Sequence, residues 1–281
     1  MSAAKRSPGR NLPAAITTGV ILGAVVVATL LWWNWGFALF VALALALGVW
    51  EVCNALEKLG MHPARWPILV GTPIVMIGSY AVGQGSGEPE SALGFIVGGL
   101  ALMVIVALFW RIPRGTQDFV RDAAASLFVI GYLPLLGSTV ALMLAGSSGV
   151  ARIFCFLLAP IASDTGAYVV GVLFGKHKMA PRISPAKSWE GFAGGIVTAM
   201  VLCALAVHGL LHAPAWVGLL LGLVAGCCGV VGDLVESAIK RDAGIKDMSH
   251  VLPGHGGVMD RLDSLLAAAP AAWLVMYVLI V

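Results

Sequence analysis

The sequence predicts an all-α polytopic integral membrane protein, a bundle of about nine transmembrane helices with its N-terminus cytoplasmic. Three observations carry this. Residues of the AVILMFWYC set make up 59% of the 281 positions and charged residues only 11%, against about 25% charged residues in soluble globular domains. So few charges cannot cover a soluble domain, and disorder requires low hydrophobicity with high net charge, not +3 on an apolar chain. The apolar residues form continuous runs, as from Gly19 to Ala28, where a membrane barrel would alternate apolar and polar positions. Finally, threading the runs in order puts 16 of the 17 Lys and Arg residues on one side of the bilayer.

A bilayer core about 30 Å thick needs about 20 apolar residues of helix. The first span, 12–31, follows Lys5, Arg6 and Arg10. Its apolar run exceeds the roughly 7–15 residues of a secretory h-region and meets Leu31, Trp32 and Trp33 without a small-residue cleavage site, so it reads as a retained helix. The second span, 35–54, and the third, 67–84, flank a loop with Lys58 and Arg65. The loop before the fourth span, 91–110, holds Glu88 and Glu90 but no Lys or Arg, and reads as external. Arg111, Arg114 and Arg121 lead to the fifth, 124–145. Arg152 alone marks the outer face, at the start of the sixth, 150–174. Lys176, Lys178, Arg182 and Lys187 precede the seventh, 191–211. The eighth, 215–236, is followed by Lys240, Arg241, Lys246 and Arg261, and the ninth, 262–281, ends outside. Trp32, Trp33 and Trp35 read as interfacial anchors.

The five cysteines lie in or beside apolar runs without a CxxC pair, so they read as small buried hydrophobes. GxxxG spacings at Gly19/Gly23, Gly94/Gly98, Gly171/Gly175, Gly191/Gly195 and Gly222/Gly226 suit close helix packing or a dimer. His208 and His212 are spaced like a zinc pair but lack a catalytic Glu between them, and read as interfacial packing.

Charges in residues 1–150 sit at span ends and read as topology signals, so this part is assigned to packing and lipid access. Chemistry concentrates in residues 151–281, where two polar loops, 175–190 and 237–261, share the cytoplasmic face. An ionisable group within a span costs several kcal/mol unless paired or wet, which makes it a functional candidate. Asp164, between Ser163 and Thr165 and beside Pro160 and Gly166, is the first such group. A polar network that only holds helices together is the alternative. Asp233, Glu236, Ser237 and Lys240 follow at i, i+3, i+4 and i+7, one helical stripe that suggests a wet, cation-binding cleft. The alternative is a helix end emerging into water with ordinary salt bridges.

The loop from Lys246 to Asp263 has Pro253, Gly254, Gly256 and Gly257 around His255, a tight turn whose amides suit an anion. Asp260 and Asp263 stand where the ninth helix begins, and helix capping is the alternative role for Asp263. Asp233, Glu236, Asp260 and Asp263 form a hard oxygen set suited to Mg²⁺, which bridges phosphates. With Lys240, Arg241, Lys246 and Arg261 nearby, the pattern reads as metal-dependent phosphoryl or nucleotidyl transfer. The loop 175–190 offers Ser184, Lys187, Ser188 and Glu190, whose hydroxyl and ammonium donors suit a triphosphate. Positive-inside topology and headgroup attraction explain its charge but not its Ser-Pro pattern. A P-loop spacing is absent.

These motifs resemble a known family. Ser237-Ala-Ile-Lys240-Arg241, Lys246-Asp247, Pro253-Gly-His255-Gly256-Gly257 and Asp260-Arg261-Leu-Asp263 look like the signature of phosphatidate cytidylyltransferases, the CDP-diacylglycerol synthases. Asp164-Thr-Gly-Ala-Tyr168 and Ser184-Pro-x-Lys187-x-x-Glu190-Gly191 are similar to its upstream elements. The resemblance implies transfer of CMP from CTP to phosphatidate, releasing pyrophosphate, and Mg²⁺ dependence with room for a second metal ion. It maps the metal-binding aspartates to Asp233 and Asp260. It further implies a bacterial inner-membrane enzyme whose site faces the cytoplasm and whose partners are CTP, phosphatidate and membrane lipids. A homodimer fits the family, and no nucleic acid is involved. Two other classes share the polar pattern: a CTP-dependent kinase of a membrane alcohol, and a transporter.

Overall fold

The computed structural model describes residues 12–86, 89–254 and 256–280. Lys5, Arg6, Arg10, Glu88 and His255 lie outside the described residues. Among the described residues nine helices fall on the nine expected spans: α1 Leu12–Trp32, α2 Asn34–Lys58, α3 Arg65–Ser86, α4 Pro89–Arg111, α5 Phe119–Ala145, α6 Gly149–Phe174, α7 Trp189–Leu210, α8 Ala215–Asp242 and α9 Met259–Leu279. Eight of them are long and apolar enough to cross a membrane, and α1 is apolar over Ile16–Trp32. The chain is an all-α polytopic membrane helix bundle.

Contacts between helix ends and the neighbouring connecting segments identify one polar end of the bundle. The His62 amide donates to Asp122 Oδ1 at 2.7 Å, Arg121 reaches the Leu59 carbonyl, and Arg241 Nε lies 3.4 Å from the Ile183 carbonyl. Arg152 belongs to the other end, where its guanidinium donates to the carbonyls of Met276 and Ile280 at the close of α9. A cation there satisfies orphan carbonyls and the helix dipole. That local task accounts for the one basic residue outside the positive-inside pattern.

Local chemistry sets three departures from uniform helices. Pro134 lacks an amide proton, and α5 passes through a π-helical turn at Gly131–Leu135. α8 runs to Asp242, six residues past the end of its apolar run. Its 28 residues span about 42 Å at 1.5 Å per residue, well over the roughly 30 Å of the hydrocarbon core, so its polar last turns stand clear of it. The basic segment expected as a loop is an antiparallel hairpin, β1 Lys178–Ala180 and β2 Ser184–Ser188. Pro181 holds the second position of its turn, closed by Ile183 N to Ala180 O at 3.2 Å.

Small residues bring α6, α7, α8 and α9 into backbone contact. A Cβ on Gly195 would lie 2.4 Å from the Ser163 carbonyl, and one on Gly222 2.5 Å from that of Ala199. Both GxxxG pairs of α7 and α8 therefore serve intrachain packing, whereas Gly94 and Gly98 have nothing within 4 Å. Gly232 matters most for the site, because its Cβ would meet the Asp263 carbonyl at 2.3 Å. Gly232→Ala is expected to force α8 off α9 at a cost of about 1–3 kcal/mol. A lower thermal midpoint in detergent, with activity lost in parallel, is the measurable result.

Candidate active site

The stripe on α8 meets the first turn of α9 at the polar end. Close approach at Gly232 sets Asp233 and Glu236 against Asp263, and carboxylate oxygens of these three residues lie within 4.8 Å of one another. Glu236 is completely buried and ion-pairs with Lys240 through Oε2, while Oε1 has no hydrogen-bond partner. The Ser237 hydroxyl lies 3.2 Å from Asp233 Oδ1. Among the described residues Asp263 accepts only from its neighbour, the Ser264 amide, at 2.7 Å.

Asp260 is differently engaged. Its Oδ1 receives Lys240 Nζ at 2.7 Å, and its Oδ2 accepts the amides of Gly257 at 2.7 Å and Met248 at 3.0 Å. It therefore ties the incoming loop to α9 and fixes Lys240. Asp260 still lines a cavity of about 280 Å³ with Asp164, Asp233, Arg261 and Asp263. All four expected oxygen ligands are thus gathered in one place, and three of them converge.

The hairpin closes the site from the side. Lys187 on β2 sets Nζ 2.6 Å from Asp233 Oδ2. Ser188 caps α7 by accepting from the Gly191 amide at 3.1 Å. Glu190 turns back on the hairpin's base, accepting the amides of Lys176 and His177 and contacting His177 Nδ1. Ser184 opens β2 in register with Ala180, and Arg241 on α8 reaches the hairpin turn. Lys246 is exposed in the loop after α8. A second cavity, about 290 Å³ and largely apolar, lies between α6, α7 and the hairpin. Asp164 and Lys187 are among its polar lining, and Asp164 borders both cavities.

The glycine turn differs from its sequence reading. Gly254 and Gly256 have φ of 75° and 87°, as the tight turn requires. The anions its amides meet are side chains of the chain itself: Asp260 takes Gly257 N, while Glu51 takes Val258 N at 2.9 Å and Met259 N at 2.7 Å. Gly256 N bonds the Leu252 carbonyl.

Glu51 is a residue the sequence reading passed over. It sits on α2, fully buried, and accepts from the Ser249 hydroxyl in the loop before α9. One signal in the sequence points to it: it is a lone carboxylate within an apolar span, the rule that singled out Asp164. Tyr132 also comes near, within electrostatic reach of Glu236, Asp263 and Asp233 and with its buried hydroxyl unpartnered. Nothing in its apolar run distinguishes it.

Five carboxylates thus face Lys187, Lys240 and Arg261. Only Glu236 among them is fully buried, and a surplus of carboxylates gathered around it favours a cation. Three converging hard oxygens, with a buried one unpartnered beside them, fit a divalent ion of the Mg²⁺ type. Cations beside such an ion suit a phosphate, and an apolar cleft next to both suits a lipid.

A family model described as the cytidylyltransferase family matches residues 13–279. A phosphatidate cytidylyltransferase of Mycobacterium leprae is 39% identical over 287 residues, covering 96% of this chain and 89% of the relative. One from Mycobacterium tuberculosis strain H37Rv is 38% identical, covering 96% and 84%. One from Brucella suis is 34% identical, covering 94% and 93%.

Proposed function

The chain belongs to the cytidylyltransferase family, and from that premise we propose that it transfers CMP from CTP to phosphatidate, giving CDP-diacylglycerol and pyrophosphate. It is a membrane-embedded nucleotidyltransferase. The names of its relatives support phosphatidate as the acceptor. The observation that carries the reading is the convergence of Asp233, Glu236 and Asp263 beside Lys187 and Lys240, at the polar end of a membrane bundle.

In the proposed reaction a phosphatidate oxygen bonds to the α-phosphorus of CTP as the bond to the β-phosphate oxygen breaks. The nucleophile is already an anion, so no strong general base is needed. The obstacle is repulsion between two polyanions, which fixed positive charge relieves. Asp233, Glu236 and Asp263 would hold a divalent ion, with Asp260 at the edge of the same cavity. Bound there, Mg²⁺ would supply charge neutralisation and Lewis-acid polarisation of phosphate oxygens. Lys187 and Lys240 are held by carboxylates at the cavity and present ammonium donors to phosphates. Arg241, Lys246 and Arg261 extend positive charge outward from it, and Ser184 and Ser237 offer hydroxyls. Asp164, between the polar and apolar cavities, marks where headgroup and acyl chains would part. The positive-inside pattern and the cytosolic origin of CTP support a site facing the cytoplasm of a bacterial inner membrane. In this reading residues 151–281 carry the chemistry, and 1–150 supply packing and lipid access.

Purified protein incubated with labelled CTP, phosphatidate and Mg²⁺ is expected to form CDP-lipid and pyrophosphate, and to stop when a chelator is added. Release of CDP with a phosphorylated lipid would instead establish a kinase. Counter-flow without any product would establish a transporter.

A further inference from the structure

We infer that Glu51 is a positioning residue for this reaction, a carboxylate on α2 that locks the 248–259 loop and the start of α9 into catalytic register. The inference rests on the cytidylyltransferase reading for its catalytic consequence and on geometry alone for the lock.

Glu51 is fully buried, and its two oxygens are shared among the Ser249 hydroxyl and the amides of Val258 and Met259. The two amides are orphan donors at the start of α9, which an acceptor must satisfy when buried. Here the acceptor arrives from another helix, 207 positions away along the chain. Asp260 grips the same loop through two other amides, Met248 N and Gly257 N. The loop is therefore clamped between two carboxylates. One belongs to the half of the chain without the oxygen cluster, and the other also orients Lys240. Gly257 lies in the clamp's jaws, where a Cβ would come within 2.9 Å of the Glu51 carboxylate. Releasing the Glu51 side frees the first two turns of α9, which carry Asp260 and Asp263. The oxygen cluster and Lys240 then lose their common frame, although no residue of either cavity has changed.

Glu51→Gln keeps size but places an NH₂ against an amide N–H. In detergent, it is expected to lower kcat at least tenfold while KM for CTP stays within about threefold. Hydrogen exchange of residues 248–259 is expected to rise about tenfold, with other segments unchanged. Gly257→Ala presses on the same contact from the loop side and should reproduce both effects if Glu51→Gln fails to fold. Glu51→Asp, which keeps the charge, should recover part of kcat. Unchanged exchange in 248–259, or a kcat within twofold of the unsubstituted protein, would overturn the inference. Absence of CDP-lipid from the unsubstituted protein would sink the cytidylyltransferase reading, and the exchange measurement would then decide the lock by itself.

Discussion

Asp263→Asn is expected to lower turnover about a thousandfold, equivalent to about 4 kcal/mol of transition-state stabilisation, and to raise the Mg²⁺ concentration needed for half-maximal rate. The carboxylate of Asp263 meets those of Asp233 and Glu236 and, among the described residues, is held only by the neighbouring Ser264 amide. It is therefore free to serve a cation, and an amide oxygen there gives a poorer ligand with one charge fewer. Asp233→Asn should act in the same direction. Asp260→Asn is also expected to abolish turnover while the protein stays folded, but for a different reason. Its oxygens are committed to Lys240 and two amides, so the loss should leave the Mg²⁺ requirement of any residual activity unchanged. Initial rates across a Mg²⁺ titration separate the two. A shifted requirement in Asp260→Asn and none in Asp263→Asn would exchange the roles assigned here.

The division of labour between these aspartates shows where sequence reading ends. Asp260 and Asp263, three apart, share a helical face, and that spacing was legible. Which of them serves the helix terminus depends on where α9 begins. The apolar run starts at 262, which made Asp263 the candidate cap. The helix starts at Met259 because Glu51 satisfies its first amides. Helix-end service accordingly falls one turn earlier, to Asp260. Continuous apolar runs and the side bias of Lys and Arg located the spans because both follow from bilayer physics, residue by residue. Glu51 eluded that reading because averaging over a span hides a single carboxylate, and its partners come from a loop brought near only by packing. The hairpin was obscured for a related reason. Its strands are three and five residues long, too short for a periodic signal, and are fixed by Glu190 and by the Ser188 cap. The convergence of the acidic and basic stretches was legible because each stretch carries its own pattern, and alternation of the spans puts them at one end.

Lys240→Ala is expected to destabilise the protein by about 3–5 kcal/mol, the cost of stranding buried charge when one partner of an ion pair is removed. Lys240 is the common cation of two carboxylates, Glu236 at 0% side-chain exposure and Asp260 at 6%. Without it neither carboxylate keeps an ion-pair partner among the described residues, and both must be rehydrated, protonated or expelled. The loss should appear as a lower thermal midpoint in detergent together with complete loss of turnover. Adding Glu236→Gln removes one of the stranded charges. In a double-mutant cycle the pair should regain much of the lost stability, a coupling well above the few tenths of a kcal/mol expected of independent sites. Activity should not return, because the missing ammonium is assigned to the phosphates and the missing carboxylate to the cation. Recovery of stability without turnover is the outcome that distinguishes a catalytic ion-pair network from one that merely joins α8 to α9. If turnover returned along with stability, Lys240 would be reduced to a structural counter-ion, and Lys187 and Arg261 would be the cations left to meet the nucleotide.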